Sequence, residues 1–171
     1  PAFRRLNGLL PQPTDEDRRR ALRAGIAAYN RAGITTVRDP ALSAPEVAAY
    51  RAVIPEMRSL RASMLWRVDL GATQEERRDW IEGLADESRF GDEWLDVWGL
   101  KVILDGGVEG GYFVDPYANN PGFRGLPLAS QEDLFRILEQ SQQLGWRVGV
   151  HVVGDAAMQM VLESFERLDA S

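Results

Sequence analysis

The 171-residue sequence contains no cysteine, one histidine and one lysine. The lack of cysteine excludes disulfides and thiolate chemistry. It fits a reducing compartment, and cytoplasmic localisation is the expectation. No apolar run approaches the roughly 18 residues needed to cross a bilayer. The opening Pro-Ala-Phe-Arg-Arg is not followed by the apolar core of a signal peptide. A membrane role is therefore not expected. Positive charge is also in deficit: the formal net charge of −6 argues against a nucleic-acid partner, because phosphate binding needs a basic face. Low-complexity tracts and internal repeats are missing too. A chain of this length and mixed composition reads as one domain, 1–171, able to bury a core.

The shortage of lysine is informative. Of 20 basic residues, only Lys101 is a lysine. Arginine keeps its proton inside proteins, whereas lysine loses it when buried. Either a general preference for arginine left one lysine over, or Lys101 stands where a neutral amine is needed. The Arg18-Arg19-Arg20 run, between acids and helical alanines, reads as a solvated helix face.

Helix starts are legible. Ser/Thr-x-x-Asp/Glu occurs at Thr14…Asp17, Ser43…Glu46, Thr73…Glu76 and Ser130…Asp133. In each, the hydroxyl can accept from an orphan backbone N–H while the acid reaches back. Asp155 is a fifth candidate cap. Apolar residues follow at helical spacing: Leu22, Ile26 and Tyr29; Leu134, Ile137, Leu138 and Leu144; Val161, Phe165 and Leu168. Gly33 and Gly145 are stop signals. Strand-like runs at 34–38, 62–70, 95–104 and 146–153 alternate with these helices. That alternation predicts βαβ units and a parallel sheet of about four strands with about five helices.

Strand parity assigns faces. Trp98, Leu100, Val102 and Leu104 share one side of the third strand, and Gly99, Lys101, Ile103 and Asp105 the other. In the fourth, Val148, Val150 and Val152 oppose Gly149, His151 and Val153. The aliphatic sides should meet the helices, which turns Lys101 and His151 to the opposite side. That is a barrel interior in a closed sheet, whereas an open doubly wound sheet would bury a lysine under helices at high cost. Polar residues gather at the C-terminal strand ends: Arg38 and Asp39, Arg67 and Asp69, Asp105, and the turn from His151 to Asp155. Asp39 and Asp155 read as turn caps. Asp69 and Asp105 share parity with inward positions and stand equally as caps or rim groups. The Gly- and Pro-rich stretch 105–129, with Tyr112, Phe113, Tyr117 and Phe123, is long for a structureless loop and reads as an ordered lid over that rim.

Two segments carry a resemblance: Leu100-Lys101-Val102-Ile103-Leu104-Asp105-Gly106, and His151-Val152-Val153-Gly154-Asp155. With Pro116-Tyr117 and Gly125-Leu126 in order between them, and Gly33-Ile34-Thr35-Thr36-Val37-Arg38-Asp39 upstream, they resemble the amidohydrolase superfamily. The branch is amidohydrolase family 3, which includes N-substituted formamide deformylases. The resemblance covers nearly the whole chain. It implies a partial TIM-type (β/α) barrel, about strands two to five, of an enzyme that hydrolyses non-peptide C–N bonds with metal-activated water. By position, Lys101 matches the lysine often carbamylated to bridge two metals, and His151 matches a metal-binding histidine. These are the candidate catalytic and metal-ligating residues. CO2 adds only to a neutral amine, so the lysine's ordinary pKa of about 10.4 must fall. Burial and cations lower it. The carbamate oxygens suit Zn2+ or another divalent metal, which acidifies water and polarises a carbonyl. Asp69, Asp105, Glu109, Tyr112, Tyr117 and Asp155 are substrate or rim candidates.

The departures from the family pattern are as specific. Its strand-one His-x-His, strand-six histidine and strand-eight aspartate have no counterpart in these 171 residues. After Asp105-Gly106 the chain reads Gly107-Val108-Glu109-Gly110-Gly111 instead of small and hydroxyl residues with an arginine. A catalytic zinc needs three protein ligands and an open position. By itself this chain is expected to bind no catalytic metal, to leave Lys101 unmodified and to hydrolyse nothing. Its open strand edges favour a homo-oligomer, and a small amide-type substrate belongs to the parent enzyme. Two other readings stay open. One is a Schiff-base lyase or aldolase using Lys101. The other is a noncatalytic α/β module for binding or assembly, with Lys101 paired to Asp69 or Asp105.

Overall fold

The computed structural model describes residues 10–86 and 90–170. The chain alternates as the pattern predicts: α1 (Asp15–Arg31), β1 (Thr36–Leu42), α2 (Ala44–Met57), β2 (Arg61–Arg67), α3 (Gln74–Gly83), β3 (Leu95–Ile103), α4 (Gln131–Gln143), β4 (Val148–His151) and α5 (Asp155–Asp169). The four strands form one parallel sheet in sequence order, β1-β2-β3-β4. Each strand neighbours the next, so the helices between strands, α2, α3 and α4, are crossovers on the same side, as in a barrel wall. The structure is a partial (β/α) barrel.

Capping sets the helix starts. Thr14, Ser43 and Thr73 each form a reciprocal box with the acid three residues on. Ser130 accepts from Asp133 N at 3.1 Å, and its hydroxyl donates to the Asp133 carboxylate at 2.7 Å. Asp155 is not a cap. The position before α5 is Gly154, and Asp155 opens the helix. Asp39 is not a turn cap either. β1 runs on through Pro40 to Leu42, four residues beyond the expected end at 38, and Asp39 Oδ2 accepts from Tyr50 Oη at 2.6 Å. Pro40 is tolerated because β1 is an edge strand, and the pairing slips between Asp39 and Leu42. β2 and β4 end earlier than expected, at Arg67 and His151. After β2, Asp69 turns the chain by accepting from Gly71 N at 2.9 Å.

The core lies between the sheet and its helices. It joins Ile26, Val47, Val53 and Ile54 to Met64, Leu100, Val102 and Leu104, and these to Leu134, Ile137, Leu138 and Val161. Each such fully buried aliphatic side chain contributes about 1.5–3 kcal/mol. Leu100, Val102 and Leu104 face the helices as parity predicts, with none of their surface exposed. Trp98 does not. The β2–β3 ladder runs Met64 to Val97 and then Leu65 to Gly99, which leaves Trp98 as an extra residue. A bulge of this kind breaks strict alternation. Trp98 is partly exposed, with the guanidiniums of Arg38 and Arg147 at 4.3 and 5.4 Å from its ring centre. Three residues expected on buried helix faces, Tyr29, Leu144 and Phe165, are 46%, 37% and 44% exposed, so the helical period alone overestimated the apolar stripe. In the Arg18–Arg20 run, Arg18 pairs with Asp15 and Arg20 with Asp17 on the outside of α1. No helix among the described residues is long and apolar enough to cross a membrane.

Candidate active site at the strand ends

Lys101 and His151 come from neighbouring parallel strands. Lys101 pairs with Gly149, and Ile103 pairs with His151. Two residues of parity therefore separate the lysine and the histidine, which puts both on the face away from the helices. Strand spacing and rise place their Cα atoms roughly 8 Å apart. Gly149 confirms the facing. A Cβ built there would come within 3.2 Å of Leu65 Cδ2 and 4.0 Å of Lys101 Cδ, so both side chains lean over the same backbone. Lys101 is partly buried, and desolvation lowers its pKa from the ordinary 10.5. Neither Asp69 nor Asp105 pairs with it: each carboxylate is held by backbone N–H groups instead.

His151 is partly buried, with Nε2 at 3.4 Å from the carbonyl oxygen of Gly106. A carbonyl oxygen only accepts, so this contact suits the ring tautomer protonated at Nε2.

Asp105 corrects the rim expectation. It is fully buried, and its carboxylate accepts from Tyr112 N (2.9 Å), Val153 N (2.9 Å) and Gly154 N (2.8 Å). No oxygen of it is left for a substrate; it staples the end of β3 to the end of β4 and to the loop between. Asp155 has a similar duty. Its Oδ1 accepts from Val114 N at 2.8 Å and from Ala156 N at 2.8 Å. Gly154 completes the joint, because a Cβ there would sit 1.7 Å from Tyr112 O. The Asp-Gly and Gly-Asp elements of the two motifs are thus one dock.

The dock orders 106–129. Phe113 N donates to Arg124 O (2.7 Å), Tyr117 N to Phe123 O (2.9 Å) and Leu128 N to Leu104 O (2.7 Å), and the Arg124 guanidinium binds Val114 O. Tyr117 stacks between Phe113 and Phe123 at 5.4 and 5.3 Å, and its hydroxyl donates to Val108 O and Gly111 O. Tyr112 packs on the core. Gly125 takes a positive φ of 87° where a Cβ would strike Gly111 O. Glu109 is exposed in the Gly107–Gly110 turn, and Asp69 is exposed beside the end of β2. Beyond the ends of β1, β2 and β3 lies a cleft of about 1090 Å³, lined by Trp66, Arg67, Asp69, Trp80, Ile103 and Leu128 among others. Sequence reasoning passed over Arg67 as a site residue. It also missed the Arg38–Trp98–Arg147 layer, for which Gly99 inside a strand was the available signal.

The donor set can be tested against a metal. A free imidazole nitrogen and an amine that burial deprotonates more easily are ligand types of the right kind. In number they fall short. No group of three His, Cys, Asp or Glu side chains is arranged to hold a metal ion among the described residues.

A parallel wall of strands with helices on one side and polar groups at the strand ends defines the (β/α) barrel class. A family model described as the amidohydrolase family, Amidohydro_3, matches residues 2–171, and the chain belongs to that family. It is 31% identical over 81 residues to Protein LONG AFTER FAR-RED 3 of Arabidopsis thaliana, over 46% of this chain and 14% of that protein. It is 28% identical over 76 residues to the protein named "Putative amidohydrolase YtcJ" of Bacillus subtilis (strain 168), over 43% and 14%. The crystal structure of an uncharacterized metal-dependent hydrolase from Pyrococcus horikoshii OT3 superposes with a TM-score of 0.77 at 24% identity, covering 91% of this chain and 31% of that one. One from Pyrococcus furiosus gives 0.78 at 22%, covering 92% and 32%. At these identities the likeness establishes the fold, and this chain spans about a third of each of those chains.

Proposed function

We propose that this chain is the lysine- and histidine-bearing wall of a metal-dependent amidohydrolase that cleaves C–N bonds of amide or formamide type. The observation that carries the reading is the placement of Lys101 and His151 two positions apart on adjacent strands, on one side. The rest of the ligand set comes from protein outside this wall. When bound, a divalent metal such as zinc supplies Lewis-acid polarisation and a more acidic water. The chain's own contribution is orientation. Gly106 O lies beside Nε2 of His151 and suits a proton there, which leaves Nδ1 as the ligating nitrogen of this reading. Partial burial of Lys101 favours the neutral amine that adds CO2, forming a carbamate N–C bond and releasing a proton to solvent. The 106–129 segment is docked against the ends of β3 and β4, beside these two side chains. Family membership favours this reading over Schiff-base chemistry at Lys101, which borohydride trapping of a carbonyl substrate would reveal.

The experiment has two arms. In a polypeptide that completes the barrel, stoichiometric metal and amide hydrolysis are expected, and Lys101→Ala and His151→Ala should each lower kcat/KM at least a hundredfold. Unchanged activity in both variants would overturn the assignment. The isolated chain should hold no stoichiometric zinc, show no turnover and have an intact mass without added CO2. Turnover by the isolated chain would overturn the claim that its site is incomplete.

We also propose that copies of the isolated chain associate. Among the described residues β1 and β4 each pair on one side only, and Met158, Leu162 and Phe165 expose an apolar stripe on α5. Sedimentation should show dimers or larger species; a monomer at high concentration would refute it.

A further inference from the structure

His151 is the last residue of a four-residue strand that pairs on one side only among the described residues. The β3–β4 ladder closes with Leu104 N donating to His151 O at 3.1 Å. Past that bond a short edge strand frays unless something else holds it. Asp105 takes over there. Its Oδ1 accepts from Val153 N at 2.9 Å and its Oδ2 from Gly154 N at 2.8 Å, two and three residues beyond the imidazole. Oδ2 also accepts from Tyr112 N at 2.9 Å, and the carboxylate is fully buried. The backbone around His151 is therefore held at its own carbonyl by the ladder and again two residues later by the carboxylate. Asp105 also governs what the ring meets. Gly106 follows it directly, and the Gly106 carbonyl oxygen lies 3.4 Å from His151 Nε2. Gly110 packs behind this residue, since a Cβ on Gly106 would come within 3.3 Å of Gly110 Cα.

A ring carried on a fixed backbone and met by a placed carbonyl is oriented before any ligand arrives, as a ligating histidine requires. We propose that Asp105 is the positioning residue for His151: it sets both the strand end that carries the imidazole and the Gly106 carbonyl that faces it. Both carboxylate oxygens are needed, because three N–H donors converge on them. The orientation of the ring stands on these contacts alone; its use in holding a metal rests on the proposed function.

The sole histidine gives an unambiguous magnetic-resonance probe. In the metal-free chain at one fixed pH, ring-carbon relaxation and cross-relaxation from the ring protons to the Gly106–Gly107 backbone report how firmly His151 is held. The ring should be as rigid as the backbone of β3. Asp105→Asn preserves volume but sets an amide NH2 among backbone donors; it should at least halve the Gly106 cross-peaks and free the ring. Gly154→Ala opens the same dock from its other side and should do likewise, so the test survives if one variant does not fold. Val53→Ala, a cavity in the core under α2, should lower stability and leave the ring signals unchanged. An unchanged ring in Asp105→Asn or Gly154→Ala, a ring loosened as much by Val53→Ala, or a ring already mobile in the unsubstituted chain would overturn the proposal. In a polypeptide that completes the barrel, Asp105→Asn should weaken metal binding about 10–100-fold, and saturating metal should recover kcat. Unweakened binding would overturn the metal role. Failure of the unsubstituted barrel to bind metal would sink the proposed function instead, and the ring signals would still decide whether Asp105 positions His151.

Discussion

Asp105 and Gly154 are joined across the ends of adjacent strands by a 2.8 Å hydrogen bond from the glycine N–H to the buried carboxylate, which also accepts from Val153 and Tyr112. Deleting the carboxylate strands three backbone donors, at about 1–3 kcal/mol for each one left buried. Asp105→Ala should therefore lose about 4 kcal/mol in urea unfolding. Asp105→Asn keeps one acceptor oxygen and should lose about half of that. A loss under 1 kcal/mol for Asp105→Ala would show that the staple is dispensable.

Two glycine substitutions should move stability in opposite directions. At Gly154, a Cβ would overlap Tyr112 O, so Gly154→Ala forces the dock apart and should cost about 3 kcal/mol. At Gly25, inside α1, a Cβ meets nothing within 4 Å, and Gly25→Ala should stabilise by up to about 1 kcal/mol. Thermal melts of the two variants beside the parent chain would decide this.

Asp155 ties the 106–129 segment down at one exposed point, Val114 N. Asp155→Ala should change global stability by only about 1 kcal/mol. Amide exchange at Val114 and its neighbours should nevertheless accelerate severalfold, while β3 keeps its protection. Uniform acceleration across the sheet would contradict a local tether.

Lys101 should leave a mark on alkaline stability. Burial lowers its folded pKa below 10.5, so the charged form is penalised on folding. The penalty is fully present at pH values below the folded pKa. Between the lowered folded value and 10.5 the unfolded chain binds more protons, and stability rises with pH. Subtracting the profile of Lys101→Met isolates that rise from the titration of tyrosines. A difference profile that is flat or falls toward pH 10.5 would refute it.

Much of the fold was legible because its signals are local. The boxes at Thr14, Ser43 and Thr73 need only hydroxyl and acid three residues apart, and they set where helices begin. Alternating aliphatic residues at Leu100, Val102 and Leu104 identify a sheet face from covalent geometry alone. Trp98 defeated the same rule because a bulge depends on the neighbouring strand's register. Asp39 and Asp155 looked like caps because a short acid before a helix usually is one. Their partners, Tyr50 Oη and Val114 N, lie 11 and 41 residues away.

Composition and motif order alone marked Lys101 and His151 as exceptional, since one amine and one imidazole among 171 residues leave no competitors. Tertiary packing decided the rest. It buried Asp105 and took it out of reach of a substrate, gave Gly154 its steric necessity and set Arg67 at an open cleft. Such assignments turn on which backbone donors arrive within 3 Å of a given oxygen, and contacts between distant segments exist only once the sheet has assembled.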